Sequence, residues 1–285
     1  FFITVREELH MLNVNDLSIT SFETVMACGI NGGIFRFLLD EMQTCTISNT
    51  QENTNLTGRG GRTIGMLKRN KSVTVSGTNG MVSLGLVEAE VGSAGESDKA
   101  TTVKIPDYIV VAAGDTDGSV VAKTSYKAVG TAGNEIGELY VKNSNGTIKK
   151  TLQQDATASA TGKFAYDPTT KTITFFAGDV AVGDEITVYY KRKISADVVI
   201  ENVSDNFSEK LELYIDAIAE DKCKNEYRVQ FFIPYADFTG NFDLAMGDSQ
   251  TVHSFEATSL ASACGNGSSV FWKMIVFGAD AEDIN

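Results

Sequence analysis

The chain has 285 residues, of which 42% are hydrophobic and 21% charged, with a formal net charge of −13. That length carries one large domain or two small ones around an ample core. The acidic excess disfavours wrapping of nucleic acid, which needs Lys and Arg to displace counterions from phosphates, and no apolar run approaches the roughly 20 residues that cross a bilayer as a helix.

Phe, Tyr, Val, Ile and Thr recur throughout and only three prolines occur, a balance that predicts a mainly β protein. The opening residues FFITVREELHML have no basic leader and no small-residue cleavage site, so they are not expected to be a signal peptide. The first third offers one short helix, Ser21 to Ala27, with Ser21 as N-cap and Cys28-Gly29 as the stop. Beyond Asn31-Gly32-Gly33, IFRFLLDEMQTCTISNTQE alternates as strands do, with Phe35, Phe37 and Leu39 on one parity and Met42, Thr44 and Thr46 on the other.

Thr57 to Val91 reads as a basic, Gly-rich loop running into a hairpin. Arg59, Arg62, Lys68, Arg69 and Lys71 crowd together, and no acid lies between Glu52 and Glu88. KSVTVSG and MVSLGLVEAEVG are the expected limbs, joined at Asn79-Gly80, with a loop from Gly92 to Lys99. Residues 104–193 form a string of short β-rich runs separated by turn residues such as Asp117-Gly118, Asn145-Gly146 and Pro168, the pattern of a small β-sandwich. The expected organisation is therefore a β core built from 1–103 and 194–285, with 104–193 as an insertion.

In the last third, FSEKLELYIDAIAED places Leu211, Leu213 and Ile215 on one face and Glu212, Tyr214 and Asp216 on the other. Strands are also expected in EYRVQFFIPYADF, QTVHSFEATSL and VFWKMIVFG. Residues 194–285 hold 5 bases and 16 acids, a net charge of −11 in one third of the chain.

Chemistry-bearing groups are sparse. The histidines are His10 and His253, and His253 shares a strand parity with Phe255 and Ala257, the setting of a packed structural side chain. Gly60 to Gly65 has the glycine spacing of a phosphate-binding loop, but Met66 and Leu67 stand where Lys and Ser/Thr are required. Its glycines are expected to supply positive φ. The pairs Glu88/Glu90, Asp184/Glu185 and Asp280/Glu282/Asp283 lack EF-hand spacing. Cys28, Cys45, Cys223 and Cys264 lack Cys-x-x-Cys spacing and are expected to be buried free thiols. The sequons at Asn55, Asn70, Asn145, Asn202, Asn206 and Asn266 follow from abundant Asn, Ser and Thr. No catalytic, cofactor or metal site is expected, which leaves a structural or binding protein.

LDEMQTCTISNTQEN, TGRGGRTIGMLKRNKSVTVSGTNGMVSLGLVEAEVG and NFDLAMGDSQTVHSFEATSL resemble the major tail tube proteins of tailed bacteriophages and related prophages. The resemblance covers residues 39–92 and 196–278. It implies a β-barrel or β-sandwich core with one or two short helices, polymerised as stacked, hexameric rings around a channel that carries the genome. The middle segment resembles an Ig-like elaboration. The implied partners are further copies of the chain, sheath, baseplate and tape-measure proteins, and DNA that passes without specific binding; the implied location is the virion tail, assembled in the host cytoplasm. Within that reading Arg59, Gly60, Gly61, Arg62, Lys68, Arg69 and Lys71 form an inter-subunit loop, and Glu212 and Asp216 line the channel. A capsid decoration or tail-terminator protein, or a surface adhesin module, are the alternatives.

Overall fold

The segment Ser21–Ala27, expected to be a helix, lies within a strand. Its β-branched Thr24 and Val25 favour extended backbone, and tertiary pairing decides the matter: Val25 and Ala27 point into the core while the strand hydrogen-bonds to neighbours on both sides. This computed structural model describes residues 16–114, 119–142, 146–245, 252–261 and 269–278. His10, Asp117-Gly118, Asn145, Cys264, Asn266 and the acids Asp280, Glu282 and Asp283 lie outside the described residues. The chain is mainly β and divides into two units, Phe1–Gly95 with Ile200–Asn285, and Glu96–Val199.

The first unit begins with β1 (Ser18–Gly29), β2 (Phe35–Leu39), β3 (Met42–Thr57), β4 (Thr63–Asn79) and α1 (Leu84–Val91). The second contains β5 (Glu96–Val110), β6 (Ala112–Ala113), β7 (Val120–Lys123), β8 (Glu138–Lys142), β9 (Ile148–Gln154), β10 (Lys163–Asp167), β11 (Thr172–Phe175) and β12 (Glu185–Val199). The first then resumes with β13 (Lys210–Glu220), β14 (Glu226–Phe238), β15 (Leu244–Ala245), β16 (Val252–Ser259) and β17 (Lys273–Gly278).

In the first unit an antiparallel sheet runs β2-β1-β13-β14-β16-β4-β3, with β17 also on β14 and β15 also on β16. Its inner face carries Val25, Phe37, Leu39, Val75, Leu211, Leu213, Ile215, Ile233, Phe238 and Phe255, which form one core cluster. The alternation expected along residues 211–216 is present, with Leu211, Leu213 and Ile215 all buried.

The expected second limb of the Asn79-Gly80 hairpin is the helix α1. Ser83 caps it, its Oγ accepting from the Leu86 amide at 3.4 Å, and Leu86 and Ala89, three apart on one helical face, enter the core. Gly92 ends it in the left-handed conformation at φ 66°. A β-carbon there would lie 1.9 Å from the Phe207 carbonyl oxygen, so glycine is required twice over. The loop expected from Gly92 to Lys99 is short, because β5 already starts at Glu96.

The second unit hydrogen-bonds as one path, β5-β12-β8-β9-β10-β11-β7-β6, with a parallel pair at β9–β10. Its own core contains Leu139, Val141, Leu152, Phe164, Ile173, Ile186, Val188 and Tyr190. Two polar devices fix its loops. Asp107 accepts from the Ser125 amide at 2.6 Å and from the Tyr190 hydroxyl at 3.0 Å, and the buried Asp179 carboxylate pairs with Lys150 and takes the Gly162 amide at 2.6 Å.

Of the cysteines expected to be buried, Cys28 and Cys45 are half-buried and Cys223 is exposed; all three are free thiols. Cys223 sits in the short β13–β14 turn, where its amide serves Asp221 and its side chain has no core to enter.

Candidate assembly surfaces

The basic stretch is not a long loop. Only Gly58 to Arg62 forms a turn, closed by the Gly58 amide donating to the Arg62 carbonyl at 2.7 Å, with Gly60 and Gly61 at φ 82° and 78°. Lys68, Arg69 and Lys71 lie on β4, which pairs with β3 along nearly its whole length. The hairpin expected one step later in the sequence is thus β3–β4, and β-branched Thr and Ile around the glycine turn are its local signal.

Beyond Val73 the hairpin leaves the core. Every residue of β3 from Ser48 to Thr57 is exposed, as are those of β4 from Thr63 to Ser72 apart from half-buried Gly65. Ten residues of strand extend about 33 Å. This two-stranded arm carries exposed apolar side chains, Ile64 at 72% and Met66 at 55%. Its charge is strongly positive, with Glu52 its one acid, held by the Asn70 side-chain amide at 2.7 Å. Lys71 lies over the Phe271 ring, 5.7 Å from its centroid.

The solvent face of β3, β4 and β16 is a lattice of hydroxyls. Register aligns Thr44, Thr78 and Ser254 in one row, Thr46, Ser76 and Glu256 in the next, then Ser48, Thr74 and Thr258, then Thr50 and Ser72. Thr44 and Thr78 hydroxyls are 2.7 Å apart. One carboxylate and no cation stand in those rows. The period-2 Ser/Thr repeat in TCTISNT and SVTVSGTN was the signal for it, but only the register shows three strands contributing.

Glu212 and Asp216 do share the face opposite the core, yet both are engaged within the subunit. Glu212 is only 7% exposed; it accepts from the Asn31 amide at 2.7 Å and the Tyr214 hydroxyl at 3.1 Å. Asp216 accepts from Gln230 at 2.9 Å and Thr24 at 3.4 Å. The surrounding face is mixed: Tyr214 and Phe232, with rings 4.8 Å apart, and exposed Leu38, Ile275 and Phe277 are interspersed with Thr24, Arg228, Gln230 and Lys273.

His253 is a packed residue, as its parity predicted, but it has a partner no sequence pattern revealed. The Ser83 amide donates to Nδ1 at 3.4 Å, which leaves the proton on Nε2, and Nε2 donates to Glu90 Oε2 at 2.9 Å. Burial raises the Glu90 carboxyl above its ordinary value, while the hydrogen bond from His253 opposes the rise. Among the described residues no three His, Cys, Asp or Glu side chains gather as a metal site, and no helix is long and apolar enough to cross a membrane.

The family model of the YomU/Tube protein family matches residues 20–274, which takes in both units. The chain belongs to the YomU/Tube family. The family description agrees with the resemblance of residues 39–92 and 196–278 at the level of a phage-type tube protein. No curated protein matches the chain. The surfaces that stand out on this YomU/Tube protein are the arm, the hydroxyl lattice and the mixed face around Glu212 and Asp216.

Proposed function

We propose that the chain polymerises as stacked, hexameric rings into a phage tail tube, and that the tube's channel passes DNA without binding it. The arm carries this reading. A two-stranded ribbon with both faces in water is marginal on its own, and this one presents apolar and basic side chains that a neighbouring copy would cover. Repeated head-to-tail docking of that kind builds open filaments.

The channel wall is assigned to the hydroxyl lattice. A wall of Ser and Thr with Glu256 as its carboxylate offers phosphates no cation to hold, so no counterion release favours binding. Glu212 and Asp216, expected from the sequence to line the channel, are held by hydrogen bonds within the subunit on a face whose exposed Leu38, Ile275 and Phe277 suit a subunit contact better. The role is structural rather than catalytic, in the virion tail, with other tail proteins at the tube's ends and surface. The second unit, Glu96–Val199, is read as the Ig-like elaboration.

Negative-stain microscopy of the purified full chain tests the proposal. Stacked rings with a central hole are expected, and deletion of residues 57–71 should leave no long tubes. Monodisperse monomers of the intact chain at high concentration would overturn the reading.

A further inference from the structure

The basic tip of the arm and a set of exposed acids are at opposite ends of one sheet. The tip, Arg59 and Arg62, lies beyond the free end of β3–β4. At the other end of the same two strands, where Met42 faces Asn79 and Asn79 faces His253, stand Asp40 and Glu41 and, on the far side of β4 and β16, Asp243. Asp40 and Glu41 form the β2–β3 turn, tied to β4 by the Gly80 amide donating to the Glu41 carbonyl at 2.8 Å. Asp243 is fixed beside β16, its amide donating to Ser254 Oγ at 2.9 Å. All three acids are exposed.

Resting on the tube reading, we infer that the basic arm of one copy docks on the Asp40, Glu41 and Asp243 end of a second copy. The sheet is therefore a polar rod: β4 alone separates its basic and acidic ends by about 55 Å. Neither end satisfies the other within a subunit, because the strands hold them apart. Among the described residues, Arg59, Arg62 and Lys68 have no ion pair, and neither do Asp40, Glu41 and Asp243. Two copies in the same orientation bring opposite charges together, whereas an inverted copy would bring like charges together. The charge thus fixes direction as well as contact.

Reciprocal charge reversal tests this in the full chain. Arg59→Glu/Arg62→Glu/Lys68→Glu and Asp40→Lys/Glu41→Lys/Asp243→Lys should each lower the sedimentable assembled fraction at least ~10-fold, and the six substitutions together should restore it. These side chains are exposed, so far-ultraviolet circular dichroism and melting temperature should stay close to the parent's. A second measurement needs no tubes: with Cys223→Ser in both and diamide as the two-electron oxidant, an Arg62→Cys chain mixed with a Glu41→Cys chain should form an intermolecular disulfide faster than either alone. Unimpaired assembly of both reversed triples, or no recovery in the six-fold variant, overturns the inference even if wild-type tubes form. Absence of wild-type tubes would instead sink the tube reading, and the disulfide would then decide whether the two ends meet.

Discussion

His253 Nε2 lies 2.9 Å from Glu90 Oε2, joining β16 to α1 across 163 positions of sequence, with both side chains withdrawn from solvent. The pair closes the helix onto the sheet. Glu90 Oε1 is buried with no hydrogen-bond partner, so the carboxylate depends on this histidine.

His253→Ala should therefore destabilise the first unit by about 1–3 kcal/mol, the usual result of leaving a buried polar group without its hydrogen-bond partner. Urea unfolding followed by circular dichroism measures it, and a loss below about 1 kcal/mol would show that the pair contributes little.

The same pair sets a pH dependence. Burial, the larger influence, raises the Glu90 carboxyl, so the folded protein holds this proton to higher pH than the unfolded chain does. Its contribution is fully present below the unfolded value and is lost as pH rises through the folded one. Glu90→Gln, which cannot ionise, should thus gain melting temperature relative to the parent over the window that opens at the carboxyl's ordinary value of 4.5 and extends upward. A difference constant across that window would contradict the assignment.

Gly92→Ala should cost at least ~2 kcal/mol, since strain at positive φ adds to collision with the Phe207 carbonyl. Thermal melting checks this. Gly60→Ala meets open space and bears only the φ strain, so it should cost about 1–2 kcal/mol, less than Gly92→Ala.

If the hydroxyl lattice is the channel wall, Thr46→Lys/Ser76→Lys should leave tubes intact but make them retain short duplex DNA, and the retention should weaken as salt is raised. Equal retention by parent and variant would place the wall elsewhere. Glu212→Lys is the contrast: it puts a cation among hydrogen bonds from Asn31 and Tyr214 and should impair folding or assembly first.

Much of the architecture was legible because it depends on period. Alternation at Leu211, Leu213 and Ile215 gave a strand and its buried face, and the parity of His253 with Phe255 gave its packed setting. Where period was short or mixed, the reading failed. Ser21–Ala27 has both a capping serine and β-branched residues, and its two neighbouring strands chose between them.

The chain by itself determined a mainly β protein, an acidic whole with one basic stretch, and the absence of a complete phosphate-loop motif, because composition, net charge and local spacing are properties of the sequence alone. Tertiary structure decided the rest. Helix α1 exists where a strand was expected because its cap residues act together with a core that accepts Leu86 and Ala89 and a histidine that meets Glu90. The basic stretch became a two-stranded arm rather than a loop because β3 supplies its hydrogen bonds. Strand register, a relation between residues far apart in the chain, is what aligns the hydroxyls into rows and sets Asp40, Glu41 and Asp243 at the end opposite Arg59 and Arg62.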